Sequence, residues 1–244
     1  MPEGWQEDAY LRFLTDRREE LLGRIRDAAQ RAGRDPGDIT LLAVSKTVGM
    51  EEVRMAWQCG YTAFGENRPQ ELKRKADAAS RDAALSMVRF DMIGNLQKNK
   101  INQVLDTATL IHSVSSTPLA TAIASRACRR GVVARCLLEV NVSGEQTKSG
   151  FDPADVRVQA EGIAQMEGLR VEGLMTMAPA RDEQAARRSF AGLRELRDEL
   201  EQRMGTSLPV LSCGMSGDFQ IAVEEGSTVV RLGRIVFDPA YNDK

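Results

Sequence analysis

Lys46 is the residue whose type and position point most clearly to chemistry. It follows Ser45 at the end of the apolar run Leu41-Leu42-Ala43-Val44. A structural lysine usually prefers an exposed helix surface, whereas this run is typical of a strand buried on both faces. Partial burial favours the neutral form of an amine, and a neutral amine can attack a carbonyl carbon to form a Schiff base. The alternative is a lysine that reaches solvent or pairs with an acid such as Glu66, and position alone favours neither.

Two glycine-containing turns could hold a phosphate group. Their sequences are GMSGD at 214–218 and RLGR at 231–234. Backbone N–H groups in such turns, together with a helix N-terminus, bind phosphate in many proteins. In the alternative interpretation Ser216 is the N-cap of the next helix, Asp218 lies in its first turn, and no ligand is needed.

Other residues at predicted strand ends give weaker signals. Asn67 and Asn141 could hydrogen-bond a polar ring, or they could close turns, as Asn often does. Met175 and Met177 indicate packing, in one interpretation against a flat ligand. The single histidine, His112, lies in an apolar run and is typical of a hydrogen-bonded core residue.

Lys46, the two turns and Arg231 make a joint pattern that none of them makes alone. An amine suited to a Schiff base, a phosphate-binding turn and a nearby guanidinium fit a phosphorylated aldehyde. Pyridoxal 5'-phosphate is the candidate cofactor with this chemistry.

The elements that must position these residues alternate between short β-rich runs and longer helical runs. An amphipathic helix over 7–33 comes first. The predicted strands cover 39–44, 61–64, 88–93, 110–114, 134–142, 169–175, 209–212 and 228–232. The predicted helices between them cover 51–59, 69–79, 97–105, 118–130, 153–166, 182–204 and 218–225.

Strict alternation of this kind predicts parallel strands joined by crossover helices. Eight such units predict an α/β fold with a closed (β/α)8 TIM-type barrel, and a doubly wound open sheet is the alternative. Active sites of such barrels lie at the carboxyl ends of the strands, where the residues above are expected. We expect one domain over 1–244, with the barrel over about 39–237 and the helix over about 7–33 packed outside it.

Composition excludes several classes of protein. The 244 residues are 42% hydrophobic, which is too many for a disordered chain, and no apolar run approaches the length of a membrane span. Lys plus Arg is 33 and Asp plus Glu is 35, so the net charge of -2 gives no general attraction for nucleic acid.

Cysteine usage and the N-terminus predict a cytoplasmic protein without a metal site. The four cysteines stand far apart, and with a single histidine they do not make a zinc pattern. We therefore expect buried free thiols in a reducing compartment. The acidic N-terminal segment lacks the apolar core of a signal peptide.

As a set, seven motifs resemble those of the pyridoxal phosphate homeostasis protein family, the YggS-like proteins. They occur in the family's order and span the chain from about residue 41 to 237. They are AVSKT (43–47), FGEN (64–67), IGNLQKNK (93–100), VNVS (140–143), GLMTM (173–177), LSCGMSGD (211–218) and GSTVVRLG (226–233).

The resemblance implies a barrel like the N-terminal domain of alanine racemases, with a pyridoxal phosphate site. It implies that Lys46 carries the cofactor as an internal aldimine and that Arg231 faces the pyridine nitrogen. The implied phosphate site is the side chain of Ser216 with the backbone at Gly233 and Arg234. The other residues expected to bind the cofactor are Asn67, Asn141 and Met175. The implied role is to buffer vitamin B6 and to deliver it to apo forms of pyridoxal-phosphate enzymes.

Four positions depart from the family's usual pattern, and one of them is Arg68-Pro69, which replaces a commoner aromatic-aliphatic pair after the GEN motif. Asn95 stands where many members have histidine, so a role for an imidazole cannot be carried over. Arg234 stands where a small hydroxyl residue is common, which removes a hydroxyl contact to phosphate but keeps the backbone N–H. Asp238 replaces a common glycine near the C-terminal tail.

The sequence favours a non-catalytic carrier over a racemase-like enzyme, which remains the alternative. Racemisation by two bases needs one base on each face of the substrate, and Lys46 could serve one face. The usual opposite base in this fold is a tyrosine from a second domain. Tyr10, Tyr61 and Tyr241 are not placed for that task by their positions in a helix, at a strand start and in the tail. We expect a monomeric protein.

Overall fold

A computed structural model describes residues 4–145 and 148–241. Residues 1–3, part of the segment used to exclude a signal peptide, lie outside the described residues, as do the last three residues of the predicted domain. Among the helices of these two ranges, none combines the length and the apolar character that a membrane span requires.

Eight parallel strands close into a barrel in sequence order. They are β1 Thr40–Val44, β2 Ala63–Glu66, β3 Arg89–Met92, β4 Ile111–Val114, β5 Ala134–Glu139, β6 Leu169–Met175, β7 Val210–Ser212 and β8 Val229–Leu232. β1 pairs with β8, Thr40 lying opposite Val229, and this pairing closes the sheet on itself. The predicted (β/α)8 barrel is confirmed, and the open sheet is excluded.

The helices surround the barrel and follow the predicted order. They are α1 Glu7–Arg31, α2 Met50–Gln58, α3 Pro69–Ala79, α4 Ile101–Leu105, α5 Thr117–Arg130, α6 Pro153–Ala164, α7 Glu183–Met204, α8 Phe219–Glu224 and α9 Arg234–Phe237. Aspartate N-caps fix two of the starts: Asp152 accepts from the N–H of Ala154 before α6, and Asp182 from that of Ala185 before α7.

Two predicted strands differ from the observed bounds by more than one residue at an end. β2 begins at Ala63, two residues after the predicted start, because its pairing with β3 begins where Ala63 lies opposite Arg89. β5 ends at Glu139 and not at residue 142, because the chain then turns toward a later loop. There the N–H of Asn141 donates to the carbonyl of Phe151 at 2.9 Å.

α1 packs on the outside of the barrel and covers the C-terminal part of the chain. Several of its apolar side chains, including Leu14 and Leu21, are fully buried. The Tyr10 hydroxyl donates to the carbonyl of Phe237 at 2.9 Å, and Arg17 donates to that of Ile235 at 2.9 Å. α1 therefore supports α9, the short helix that follows the last barrel strand.

The inside of the barrel is more polar than the apolar strand runs suggest. Small apolar clusters around Leu42 and Leu137 fill part of it. Side chains on alternate strand positions are polar and buried; they include Asp91, His112, Ser212 and Arg231. Each buried polar group needs a hydrogen-bond partner, so the interior is organised by specific bonds as well as by packing.

The expectation of buried thiols holds for only part of the cysteine set. Cys136 and Cys213 are fully buried, whereas Cys59 is half-buried and Cys128 is exposed. Burial raises the pKa of the Cys213 thiol to about 11. Within the described ranges, no three His, Cys, Asp or Glu side chains come together as a metal site.

A buried ion pair fixes the end of β1. Lys75 of α3 donates from Nζ to Glu66 Oε1 at 2.5 Å and to the carbonyl of Ser45 at 2.7 Å. The Ser45 hydroxyl donates to the same Glu66 oxygen at 2.7 Å. The side chains of Lys75 and Glu66 are each only 1% exposed. The pair therefore holds the backbone immediately before Lys46.

Replacing Lys75 with methionine should destabilise the protein strongly. Glu66 would then be a buried charge without its cation, so the free energy of unfolding should fall by about 3 to 5 kcal/mol. Urea denaturation monitored by circular dichroism measures this loss.

Lys73→Met is the matched control on the same helix. Lys73 pairs with Asp77, and both side chains are more than 40% exposed, so its loss should cost less than about 1 kcal/mol. Equal small losses for the two variants would contradict the role given to the buried pair.

Candidate functional site

A cavity of about 440 Å³ opens at the carboxyl ends of the strands. Its volume lies within the range of small-molecule sites, and its position is where barrels of this type bind their ligands. Of the eight residues predicted to bind the cofactor, six line it: Lys46, Asn67, Ser216, Arg231, Gly233 and Arg234. The structure therefore brings together residues from the ends of four strands, β1, β2, β7 and β8.

Lys46 extends into this cavity with its amine unengaged. Its side chain is exposed, which differs from the partial burial expected from the strand run. Across the described residues it has no hydrogen-bond or ion-pair partner. Glu66, the predicted alternative partner, is taken by Lys75. Lys46 is therefore available to a ligand in the cavity.

Asn67 is held against the loop after β3. A Cβ atom on Gly94 would lie 2.3 Å from the carbonyl oxygen of Asn67, so only glycine allows this close approach of the two backbones. The FGEN and IGN motifs thus meet in space, and Asn67 lies at the cavity wall.

The two glycine-containing turns face the cavity with free backbone donors. In the described part of the chain, the N–H groups of Ser216, Gly217, Gly233 and Arg234 donate to no backbone carbonyl outside regular helices and strands. Several convergent N–H groups of this kind can bind an anion.

Ser216 is not the N-cap that one interpretation predicted. α8 begins at Phe219 and its N-cap position is Asp218. The Asp218 carboxylate accepts from the N–H of Met215 at 2.6 Å, so the turn is closed without the hydroxyl of Ser216. Capping alone therefore does not explain the serine.

Gly214 permits this turn. Its φ is +93°, and a Cβ there would lie 2.6 Å from the Cβ of Ala222 on α8. Both the backbone conformation and the space beside α8 require glycine.

Arg231 is buried at the base of the cavity, and no carboxylate of the described residues forms an ion pair with it. Its Nη1 donates to Ser212 Oγ at 2.7 Å and its Nη2 to the carbonyl of Thr176 at 3.1 Å. Burial lowers the pKa of the guanidinium, partly offset by the negative charges of Asp218 and Glu139. A guanidinium has five N–H donors, so these two bonds leave donors for a ligand.

Two carboxyl groups face Arg231 from neighbouring segments. Glu139 at the end of β5 is buried, and burial raises its pKa even though the Ser149 hydroxyl donates to it at 2.6 Å. Burial also raises the pKa of Asp218, with the N–H of Met215 and the charge of Arg231 acting in the opposite direction. Glu139 was not predicted as a site residue, and Asp218 was predicted only as part of the turn at 214–218, because closure of the barrel is what brings both near Arg231.

Asn141 and Met175 do not line the cavity. Asn141 closes the loop after β5: its side-chain amide donates to the carbonyl of Glu145, and its side-chain oxygen accepts from the N–H of Gly144. Met175 packs inside the barrel with Leu110 and Leu137. For both, the alternative interpretations of turn closure and packing match the observed positions.

Tyr241 lines the cavity, although its place in the tail had not indicated a position near Lys46. The guanidinium carbon of Arg234 lies 5.5 Å from the centre of its ring, a cation–π contact that holds the two side chains together. Sequence position could not reveal this, because the fold of α9 is what returns the tail to the cavity. The loop between β6 and α7, which includes Arg181 with φ +63°, forms another unpredicted wall.

Chemically, the cavity combines a free amine, a set of N–H donors and a buried guanidinium. Its walls carry four cationic side chains, of Lys46, Arg181, Arg231 and Arg234, and three acidic ones, of Asp182, Glu183 and Asp218. This arrangement suits an anionic ligand with an aldehyde or ketone group.

The chain matches a known domain family over most of its length. The family is the alanine racemase N-terminal domain, and its model matches residues 18–239. An alanine racemase of Clostridium difficile 630 superimposes with a TM-score of 0.71 at 16% identity, covering 96% of this chain and 57% of that one. At that identity the likeness concerns the fold.

Closer relatives share much more of their sequence. A pyridoxal phosphate homeostasis protein of Aquifex aeolicus is 41% identical over 223 residues, which covers 91% of this chain and 96% of the relative. The protein of the same name from Pseudomonas aeruginosa is 40% identical over 220 residues, covering 89% and 92%. PipY of Synechococcus elongatus PCC7942, solved with PLP bound, has a TM-score of 0.76 at 30% identity, covering 87% of this chain and 99% of PipY. Because these matches extend over nearly the whole of each relative, the chain belongs to the alanine racemase N-terminal domain family and, within it, to the pyridoxal phosphate homeostasis proteins.

Proposed function

We propose that this protein binds pyridoxal 5'-phosphate, holds it covalently through Lys46 and delivers it to apo forms of enzymes that use it. The observation that carries the proposal is the unpartnered amine of Lys46 in one cavity with Arg231 and two turns of free N–H groups. When bound, pyridoxal phosphate supplies an aldehyde that condenses with an amine, forming a C=N bond and releasing water.

The polar groups of the cavity match three polar groups of this cofactor: the aldehyde, the phosphate and the ring nitrogen. Lys46 would take the aldehyde carbon. Ser216 and the N–H groups at Gly233 and Arg234 would hold the phosphate, since convergent N–H groups bind anions. Arg231 would donate to the ring nitrogen through an N–H not used by Ser212 or Thr176. Asn67 would line the ring pocket.

Asn141 and Met175 do not line the cavity, so they would affect the cofactor indirectly. Asn141 holds the loop after β5 through Glu145 and Gly144. Met175 is 1% exposed and packs inside the barrel. We propose that both support the ring pocket by position.

The known relatives support the same cofactor. Proteins named for pyridoxal phosphate homeostasis are 31–41% identical to this chain, and PipY has been solved with PLP bound. A role in holding and supplying the cofactor extends these findings to this chain.

We propose further that the protein is a carrier and not an enzyme. A ring nitrogen facing the guanidinium of Arg231 would stay unprotonated, because two positive charges in a shielded site repel. An unprotonated ring is a weaker electron sink, so proton removal from a bound amino acid should be slow. We propose also that the protein is a monomer, that it is located in the cytoplasm and that residues 1–244 form one domain.

Removing the phosphate from the ligand should weaken binding strongly. Hydrogen bonds to a charged group contribute roughly 1.5 to 3 kcal/mol each, so pyridoxal should bind far more weakly than pyridoxal phosphate. Ser216→Ala should weaken pyridoxal phosphate by roughly 10- to 100-fold and leave the affinity for pyridoxal nearly unchanged. Titration calorimetry measures the four affinities.

Ser86→Ala is the control, because Ser86 is exposed, precedes the start of β3 and donates to the carbonyl of Ala83. It should leave both affinities at the parent values. Equal affinity of the parent protein for pyridoxal and pyridoxal phosphate would show that the two turns do not hold a phosphate.

Loaded protein should transfer its cofactor without catalysing amino-acid chemistry. Mixed with an apo-enzyme that needs pyridoxal phosphate, it should restore activity stoichiometrically. With a panel of L- and D-amino acids in deuterated water, exchange of the α-proton should stay far below about 1 per second, an ordinary enzyme rate.

Tyr241→Phe tests whether Tyr241 acts as the second base of a racemase-like reaction. Since Tyr241 lines the cavity, it is the tyrosine that could act opposite Lys46. Sustained exchange near 1 per second that disappears in both Lys46→Ala and Tyr241→Phe would favour the racemase-like alternative over the carrier.

A further inference from the structure

A chain of buried side chains crosses the inside of the barrel and ends at Arg231. Arg231 Nη1 lies 2.7 Å from Ser212 Oγ. Ser212 Oγ lies 2.9 Å from His112 Nδ1, and His112 Nε2 lies 3.2 Å from Asp91 Oδ2. The residues come from β8, β7, β4 and β3, so the contact between Ser212 and His112 joins strands that are not neighbours in the sheet.

In this series of hydrogen-bonded side chains, the donor and the acceptor of each bond can be assigned in one way only. A guanidinium donates and never accepts, so Ser212 accepts from Arg231 and its own hydroxyl proton is free to point to His112. The Asp91 carboxylate can only accept, so Nε2 of His112 carries a proton and donates it to Asp91. In a neutral ring Nδ1 is then an acceptor, and it accepts from the Ser212 hydroxyl.

We propose that Asp91, His112 and Ser212 are positioning residues that hold Arg231 with its remaining N–H groups directed at the ring nitrogen of the cofactor. This inference rests on the proposed function in one respect, that the ring nitrogen is what Arg231 meets.

This series of hydrogen bonds holds Arg231 while it leaves some of its N–H donors free at the base of the cavity. A carboxylate in direct contact with a guanidinium commonly takes two N–H groups at once. Ser212 and the carbonyl of Thr176 each take one, and Asp91 acts on the guanidinium only through Ser212 and His112. The donors of Arg231 that face the cavity therefore stay available.

The charges around His112 favour the neutral ring that this assignment requires. Burial lowers its pKa below the ordinary 6.5, and the positive charges of Arg231 on β8 and Arg89 on β3 act in the same direction. Asp91 on β3 opposes them through its charge and its hydrogen bond. Arg89 also donates to Asp91 Oδ2 at 3.2 Å and so shares that carboxylate with the imidazole.

The single histidine makes the assignment directly observable in the unloaded protein. A ¹⁵N NMR spectrum of the imidazole contains signals from His112 alone. It should show an unprotonated Nδ1 and a protonated Nε2, with the ring still neutral below the ordinary pKa of about 6.5. A proton on Nδ1, or a charged ring at neutral pH, would overturn the inference without reference to any cofactor.

The positioning of Arg231 is tested by comparing two ligands, pyridoxal phosphate and its deaza analogue. Ser212→Ala should weaken binding of pyridoxal phosphate about tenfold, whereas binding of the deaza analogue, with C–H in place of the ring nitrogen, should not change. Ser212→Thr keeps the hydroxyl and should restore the parent affinity. Ser189→Ala is the control, because this buried serine on α7 bonds only to the carbonyl of Ala185 in its own helix.

The outcomes separate this inference from the proposed function. If the parent protein binds pyridoxal phosphate but Ser212→Ala weakens both ligands equally or neither, the positioning role is wrong and the proposed function stands. If the parent protein does not bind pyridoxal phosphate, both the proposed function and the direction of Arg231 toward a ring nitrogen are wrong. Circular dichroism of Ser212→Ala and Ser212→Thr confirms that the compared proteins are folded.

Discussion

The buried bond between Lys75 and Glu66 decides what Lys46 can do. Glu66 ends β2 beside the end of β1, so its carboxylate is within reach of the segment that carries Lys46. An amine held by that carboxylate would be charged and engaged. Lys75 reaches in from α3, neutralises Glu66 and also binds the carbonyl of Ser45. Lys75 thus holds the strand end, and Lys46 is left for chemistry.

Inside the barrel, too, the groups that compensate a buried charge differ from the groups that are left for a ligand. Buried charges need compensation, but a directly paired cation has few donors left for a ligand. Arg231 is compensated at a distance, by Asp91 through His112 and Ser212 and by the charges of Glu139 and Asp218. The polar residues inside the barrel therefore allow Arg231 to be buried and still to bind a ligand in the cavity.

The sequence predicted the architecture well because its signals are local. The alternation of runs around Leu42, Leu138 and Leu211 required no knowledge of distant contacts, and proline and glycine marked the ends of several helices. Strand bounds were less accurate where pairing decides them, as at the end of β5, which ends when Asn141 bonds to Phe151. The four-residue helix α9 is too short to show a helical period.

The site was predictable only as far as strand ends and known motifs define it. Lys46, Asn67 and Ser216 follow strands and Arg231 lies near the end of β8, so the barrel brings them to one face. Tyr241 and the loop after β6 reach the cavity through tertiary packing that no spacing reveals. The partner of His112 was equally hidden, since Ser212 is 100 residues away in the sequence.

Reductive labelling tests the central claim most directly. Borohydride converts a C=N bond between pyridoxal phosphate and a lysine into a stable amine, and peptide mass mapping then locates the labelled residue. The account predicts a yellow protein before reduction and one label per chain, on the peptide that contains Lys46, with no label in Lys46→Ala. A label confined to Lys98, Lys100 or Lys148 with Lys46 unmodified would contradict it.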